Sequence, residues 1–183
     1  NDGDIAVGPV IPVFEDTVPD SITSWHSHPN FNNNQRISYF ATGNYIIFEK
    51  FLNKHKIEFD KRFNTIGGED TYFGINALKA GAKIVWAEDA VAYESVPQSR
   101  ANISWLIKRR YRGAVNYVYI LKLEKKYLRI FEKFLISLAY VVSGIIGLTA
   151  LLLPVKKKFW GILLISEGLG GIAGLMNFRS IGY

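Results

Sequence analysis

Residues 59–74 read FDKRFNTIGGEDTYFG, and this stretch decides how the first half of the chain folds. Two adjacent carboxylates, Glu69 and Asp70, follow a glycine pair and lead directly into an apolar segment of helical period from Thr71 to Lys79. The pattern predicts that both carboxylates lie at the start of a helix, in a loop that a substrate can approach. A carboxylate in such a position is well placed to act as a general base.

The segments around this motif predict an α/β domain. Runs typical of strands alternate with helical segments and with turns at glycine, proline and acidic residues. The predicted strands are Ile5–Val13 with a break at Gly8-Pro9, two strands between Ile37 and Phe48 on either side of Thr42-Gly43-Asn44, Lys83–Ala87 and Ala90–Tyr93, and the predicted helices are Glu49–Lys56 and Thr71–Lys79. This order of elements is typical of a mixed α/β fold.

The composition narrows the possible functions. The chain has 183 residues and no cysteine, which excludes disulfides, thiolate metal sites and a cysteine nucleophile within it. Its formal net charge of +6 favours an anionic partner such as a nucleotide diphosphate, an acidic lipid or a nucleic acid. The basic residues cluster beside apolar segments and do not alternate with aromatic residues across a sheet, so we expect no nucleic-acid partner.

Residues 101–123 form a predicted amphipathic helix. Its apolar residues recur at helical spacing opposite a polar face made of Lys108, Arg109, Arg112 and Lys122. Such a helix is suited either to lying on an anionic membrane surface or to packing on the rest of the protein.

Two long apolar runs follow, Phe134–Leu153 and Phe159–Phe178. The first is uncharged and has the length of about 20 residues that a bilayer requires, so we expect a transmembrane or deeply inserted helix. The second contains Glu167, and a carboxylate at the bilayer centre costs on the order of 3 kcal/mol. We therefore expect the second run to need the first as a partner, in a hairpin.

Small residues four positions apart predict where the two runs touch. Gly170 with Gly174 forms one such pair, and Ser143 with Gly147 forms another. Pairs of this kind allow the backbones of two helices to approach closely.

The charges that flank the runs predict an orientation. Five basic residues precede the first run, against three lysines in the connecting loop: Lys122, Lys125, Lys126, Arg129 and Lys133, then Lys156, Lys157 and Lys158. Since cytoplasmic loops are enriched in Lys and Arg, we expect the catalytic part to face the cytoplasm at the cytoplasmic membrane. A hairpin that only dips into one leaflet would keep all these residues on the same side.

Several short motifs, taken in their order and spacing, resemble the acceptor-side half of a family 2 glycosyltransferase. They are Gly8-Pro9-Val10-Ile11-Pro12, Ala41-Thr42-Gly43-Asn44, Gly67-Gly68-Glu69-Asp70, Trp86-Ala87-Glu88, Glu94-Ser95-Val96-Pro97 and Arg109-Arg110-Tyr111-Arg112-Gly113. The resemblance covers almost the whole chain, including the glycine-rich end at residues 168–183.

The resemblance implies a GT-A (Rossmann-like) fold and inverting transfer from a nucleotide-diphosphate sugar in polysaccharide biosynthesis. It also implies a divalent cation, Mg or Mn, bound mainly by an Asp-x-Asp element in a nucleotide-binding front half. This sequence lacks that half, since Asp2-Gly3-Asp4 has the spacing but no strand and helix before it. We therefore expect the back part of a longer enzyme, inactive alone, with cation ligands mostly outside this chain and no metal ligand within it.

The resemblance also gives the glycine-rich motif a catalytic role. Asp70 corresponds to the base that takes the proton of the acceptor hydroxyl, with Glu69 as its partner in the pair and Gly68 beside the substrate. The alternative is that both carboxylates only cap a helix, as acidic residues commonly do.

Arg109 and Arg112 lie in a loose match to the family's Gln-x-x-Arg-Trp element, with Arg109 at the Gln position and Gly113 at the Trp position. We expect both arginines to bind the donor diphosphate, because guanidinium groups pair well with phosphate oxygens. The alternative is a solvated or lipid-facing basic helix.

Thr42, Gly43 and Asn44 correspond to the loop beside the donor sugar. Glycine permits a close approach of the backbone, and Asn44 can hydrogen-bond hydroxyl groups. The alternative is a simple turn.

The chain divides, on this interpretation, into three parts. Residues 1–100 are the acceptor-side part of the catalytic domain, residues 101–133 a basic interfacial helix region, and residues 134–183 a membrane hairpin with a tail. The expected partners are a nucleotide-diphosphate sugar donor, a glycan or lipid-linked acceptor, and membrane lipid. The alternative from another class of function is a non-catalytic membrane-anchoring or interaction module that binds acidic lipid.

Overall fold

The structure is a computed structural model that describes residues 3–26, 31–38, 43–152 and 158–178. The chain folds into two compact units. The sheet unit comprises residues 1–13, 27–64 and 68–95, and the helical unit comprises residues 14–26, 65–67 and 96–183. The elements are β1 (Ile5–Val7), β2 (Val10–Phe14), α1 (Asp20–Thr23), β3 (Arg36–Ile37), β4 (Tyr45–Ile47), α2 (Glu49–His55), α3 (Glu69–Lys79), β5 (Ile84–Trp86), β6 (Ala92–Val96), α4 (Ile103–Leu123), α5 (Tyr127–Gly147) and α6 (Trp160–Leu175), with short 3-10 segments at Lys61–Phe63 and Leu148–Leu152.

A four-stranded mixed sheet organises the sheet unit, in the strand order β3-β5-β1-β4. β1 runs parallel to β5 and antiparallel to β4, and β3 runs antiparallel to β5. Alternate residues of the central strands enter the core: Ile5 and Val7 of β1, and Ile84 and Trp86 of β5, are all buried. This alternation follows from the two-residue period of a strand.

α3 covers the sheet with its apolar side. Phe73 and Ala77 are four residues apart, so they lie on one face of the helix, and both are buried in the same cluster as the strand residues. Phe51 of α2 joins this cluster. The core therefore fixes the helix whose first turn carries the paired carboxylates.

The predicted mixed α/β fold is confirmed. Gly8-Pro9 separates β1 from β2, and α2 and α3 occupy the predicted helical segments. The order of strands along the chain does not predict which strands pair. β2 and β6, for example, pair with each other in a separate two-stranded sheet. Local pattern defines an element, whereas its neighbour depends on distant parts of the chain.

In the helical unit, α6 packs against both α4 and α5. A Cβ atom added at Gly170 would overlap the main chain of Tyr111 in α4. One added at Gly168 would lie 2.6 Å from the carbonyl oxygen of Ser137 in α5. Glycines on two sides of α6 therefore let both neighbouring backbones come close.

The prediction that Gly170 and Gly174 contact the first apolar run is wrong. Both glycines face α4, where a Cβ at Gly174 would meet Val118 at 2.9 Å. Of the other predicted pair, Gly147 does contact α6, at Gly161, whereas Ser143 is exposed. The spacing correctly marks a close helix contact but does not identify the partner helix, because α6 has two neighbours.

The helix boundaries also differ from the apolar runs. α5 begins at Tyr127, before the uncharged run, and α6 ends at Leu175. Among the described residues, α5 is the one helix long and apolar enough to cross a membrane, by length and composition only, and α6 is shorter. Most of α6 is buried or half-buried, since it is the helix that both neighbours cover.

Candidate active site

The paired carboxylates lie in the first turn of α3, as predicted. Gly68 is the residue before the helix and has a φ of 93°, and Gly67 has a φ of 80°. Non-glycine residues rarely adopt this backbone conformation. The two glycines therefore allow the sharp turn that brings the chain from the preceding loop into α3.

Asp70 is half-buried and Glu69 is exposed. The Oδ1 atom of Asp70 accepts hydrogen bonds from the main-chain N–H of Thr71 at 2.6 Å and from the Thr71 hydroxyl at 3.3 Å. Acidic side chains are common in the first turn of a helix, where they interact favourably with the helix dipole. The geometry suits a base that is held in place and still reaches a ligand.

The loop before the glycines packs on α3 through aromatic rings. Phe59 stacks on Phe73 with ring centroids 4.5 Å apart, and Phe63, which is buried, stacks on Tyr72 at 5.0 Å. These contacts hold the start of the 59–74 segment against the helix that follows it.

Asp60 caps the 3-10 turn in this loop. Its carboxylate accepts from the main-chain N–H of Arg62 at 2.9 Å and forms two-pronged bonds with the Arg62 guanidinium, the shorter at 2.6 Å. These hydrogen bonds from Arg62 lower the pKa of Asp60, because they stabilise its ionised form.

Asn44 joins three segments of the sheet unit. Its side-chain amide donates to the carbonyl oxygens of Pro9, at 3.0 Å, and Ala90. The main-chain carbonyl oxygen of Asn44 accepts a hydrogen bond from the main-chain N–H of Gly8 at 3.1 Å. Because both amide hydrogens have main-chain acceptors, the side-chain group left to receive a ligand hydroxyl is the amide oxygen. Of its predicted neighbours, Gly43 is exposed, and Thr42 lies outside the described residues.

Arg109 and Arg112 belong to α4 in the helical unit, three residues apart and thus on one side of that helix. Arg109 is exposed, with its guanidinium 5.0 Å from the ring centroid of Trp105, and Arg112 is half-buried. Arg110 instead forms an ion pair with Glu167 of α6 at 3.2 Å. Within this cluster, Arg109 is therefore accessible, whereas Arg110 is engaged in a contact between two helices.

Two internal tethers in the helical unit were not predicted. The side-chain amide of Asn116, a buried residue of α4, donates to the Ile66 carbonyl at 2.6 Å, immediately before the glycine pair. A polar residue among the apolar positions of α4 was the signal that sequence analysis overlooked.

The second tether is Lys122, a residue of the predicted polar face of α4. Its ammonium group donates to the carbonyls of Gly174 and Leu175 and to the Asn177 side chain, at 2.7 to 2.9 Å. It thus caps the carboxyl end of α6, where a cation is favoured. Burial lowers the pKa of Lys122.

The described residues do not match a metal site. No three His, Asp or Glu side chains come together in the part of the chain that the structure describes. Asp4 accepts a hydrogen bond from the main-chain N–H of Lys83 at 2.9 Å, which gives its carboxylate a structural role, and Asp2 lies outside the described residues.

Comparisons with known proteins agree with the motif-based resemblance. The chain is 36% identical over 118 residues to the succinoglycan biosynthesis protein ExoM of Rhizobium meliloti (strain 1021), an overlap of 63% of this chain and 37% of that protein. It is 36% identical over 64 residues to the hyaluronan synthase of Pasteurella multocida, covering 35% of this chain and 6% of the synthase. The chain thus spans well under half the length of these relatives, and no solved structure matches it.

The family comparison covers most of the chain. Residues 10–172 match the model of glycosyl transferase family group 2, a span that contains the paired carboxylates, Asn44 and both arginines. The chain belongs to the group 2 glycosyltransferase family.

Proposed function

We propose that this chain is the acceptor-side part of a longer inverting glycosyltransferase that builds a polysaccharide. The observation that carries the proposal is the half-buried Asp70 in the first turn of α3, within a span that matches the family. The named functions of the two relatives, succinoglycan biosynthesis and hyaluronan synthesis, support polysaccharide as the product class.

In the proposed reaction, Asp70 takes the proton of an acceptor hydroxyl. The hydroxyl oxygen forms a bond to the anomeric carbon, while the bond from that carbon to the nucleotide diphosphate breaks on the opposite face of the sugar ring. The diphosphate leaves with the bonding electron pair, and the configuration inverts. A positioned base contributes roughly 10² to 10⁴ in rate, or about 3 to 5 kcal/mol of barrier.

The other predicted residues supply binding in this proposal. Arg109 and Arg112 hold the donor diphosphate, since they share one side of α4 and present guanidinium donors. Gly43 and Asn44 border the donor sugar, and the amide oxygen of Asn44 accepts from a sugar hydroxyl, because its amide nitrogen already bonds to two carbonyls. Glu69, which is exposed beside Asp70, is the second carboxylate of the proposed catalytic pair.

The cation and the location complete the proposal. The Mg or Mn ion expected in the intact enzyme is held by ligands mostly outside this chain, in the nucleotide-binding front half that the family resemblance implies. The catalytic part faces the cytoplasm at the cytoplasmic membrane, and the basic residues before the apolar run of α5 support this side. The acceptor is a glycan or a lipid-linked glycan.

Replacement of the base tests the proposal. In the enzyme at its full native length, Asp70→Asn is expected to lower kcat by roughly 10² to 10⁴ while donor binding and the thermal unfolding midpoint stay unchanged. The matched control is Glu58→Gln, which neutralises an exposed carboxylate of the same unit and should leave kcat unaltered. Transfer by Asp70→Asn at the wild-type rate would refute Asp70 as the base.

A further inference from the structure

The exposed side of α5 is a long apolar surface, here called the α5 outer face. It includes Phe131, Leu135, Leu138, Val142 and Ile145, whose exposed fractions range from 42 to 60%. From residue 133 to the end of α5, Ser143 is the only polar residue among those exposed. The inward side of the same helix packs on α6, so the outer face is the side on which the helical unit leaves α5 uncovered.

Basic residues mark the beginning of the α5 outer face. Lys125, Lys126 and Arg129 are exposed where the chain enters α5. An apolar helix face with cations at its edge is complementary to a lipid leaflet with anionic headgroups. Each such cation near an anionic surface adds to the attraction.

The neighbours of α6 determine how α5 can enter the membrane. Ser137 is the midpoint of the 21-residue α5, and it contacts Gly168 and Gly171 of α6. On the other side of the same stretch of α6, the Ser166 hydroxyl donates to the Ile107 carbonyl of α4 at 2.7 Å.

Residues 107–111 of α4 therefore lie level with the middle of α5, because each segment contacts the same two turns of α6. This part of α4 carries Lys108 and Arg109, both exposed. If α5 crossed the bilayer, these two cations would lie near the centre of the hydrocarbon. A charged side chain at that depth is strongly unfavourable.

We propose that α5 lies along the membrane plane with its outer face inserted into one anionic leaflet, and does not cross the bilayer. In this arrangement α4 is on the far side of α6 from the lipid, so Lys108 and Arg109 stay in water. The proposal rests on the proposed function only for which side of the membrane is occupied. It replaces the expectation of a transmembrane helix with a helix held in the interface.

Site-specific labelling distinguishes the two arrangements, and the absence of cysteine from this chain makes it practicable. Lys126→Cys lies before α5, and Lys158→Cys lies between α5 and α6. The full-length protein is prepared in sealed inside-out bacterial membrane vesicles and treated with an impermeant maleimide, with and without detergent. Modification is read by mass spectrometry on the peptide that carries each cysteine.

An in-plane helix on the cytoplasmic side predicts that both cysteines react equally without detergent, because that side faces outward in inside-out vesicles. If one cysteine reacted without detergent and the other only after detergent was added, α5 would cross the bilayer. That result would overturn the proposal. Protection of both cysteines until detergent is added would leave the in-plane arrangement standing and contradict the cytoplasmic location in the proposed function. The two failures are therefore distinguishable.

Substitution of the α5 outer face identifies its partner. The double variant Leu135→Glu with Val142→Glu places two charges on exposed positions, and we expect at least tenfold weaker flotation with phosphatidylglycerol vesicles. Ser104→Glu, on an exposed position of α4, is the control and should bind like the wild type. The lipid partner would be refuted if the wild type did not bind the vesicles and instead formed a dimer. Conversion of that dimer to a monomer by the double variant would show that a second copy covers this face.

Discussion

The two units place their polar and apolar residues differently. The core of the sheet unit consists of aliphatic and aromatic residues, such as Ile84 and Trp86. The buried polar side chains of the described chain, Ser21, Asn116, Ser137 and Ser166, all belong to the helical unit. The helical unit also exposes much of α5. The sheet unit thus keeps its apolar residues in the core, whereas the helical unit buries polar side chains and exposes apolar ones.

Glycines contribute differently in the two units as well. In the sheet unit Gly68 permits a turn, whereas in the helical unit glycines bring three helices together. Stability should therefore depend on burial of large side chains in the first unit and on the absence of side chains at helix contacts in the second.

The largest effect is expected at Gly161. A Cβ atom there would overlap main-chain atoms of Gly147 and Leu148, so Gly161→Ala should cost about 1 to 3 kcal/mol and lower the unfolding midpoint of the helical unit. The matched control is Gly113→Ala in α4, where an added Cβ meets no atom within 4 Å and should stabilise by up to about 1 kcal/mol. Thermal unfolding in detergent, followed by circular dichroism, measures both. Equal effects would contradict the role assigned to close helix contact.

A smaller loss is expected at Glu167, which pairs with Arg110 at 3.2 Å and with Lys133 at 3.8 Å. Glu167→Leu leaves two cations without their counter-charge, and Lys133 is largely buried. The expected cost is about 1 kcal/mol, well below that of breaking a fully buried pair, because Arg110 remains partly in solvent.

Glu132→Leu is the control for this variant, since it breaks the exposed Arg129–Glu132 pair at 2.9 Å. Exposed pairs contribute about 0 to 1 kcal/mol, so this variant should unfold close to the wild-type midpoint. If both variants lost the same free energy of unfolding, the partly buried position of Glu167 would not explain its contribution to stability.

The smallest effect concerns Asp60 in the sheet unit. Arg62 lowers the pKa of Asp60, so the carboxylate stabilises the folded state above its ordinary pKa of about 3.9, and this contribution is lost as pH falls through the lowered value. An NMR titration should give a pKa below the ordinary range. Arg62→Gln should return it toward that range, and a titration unchanged by this substitution would rule out Arg62 as the cause.

Local pattern was sufficient for much of the sheet unit. The glycine pair and the apolar period after it predicted where α3 begins, and Gly8-Pro9 predicted the break between β1 and β2. These features depend on a few neighbouring residues. The motif comparison likewise identified the family from short segments in their order along the chain.

The helical unit was less predictable, because its contacts join residues far apart in sequence. Lys122 looked like part of a polar helix face, yet it caps α6, more than 50 residues later. Gly170 and Gly174 indicated a close helix contact but not that α4 was the partner. Asn116 stood out as a polar residue among apolar positions of α4, but nothing near it in the sequence identified Ile66, 50 residues earlier, as its partner. The roles of Asp70 and of the two arginines remain predictions for the kinetic test.

The Glu167 ion pairs have a consequence for how the protein is made. The ribosome releases α4 and α5 before α6, so Arg110 and Lys133 are already present when the carboxylate emerges. A nascent α6 can then dock on its two older neighbours with both counter-charges for Glu167 already in place. A product that terminates prematurely after α5 lacks Glu167 and leaves Arg110 and Lys133 without this counter-charge.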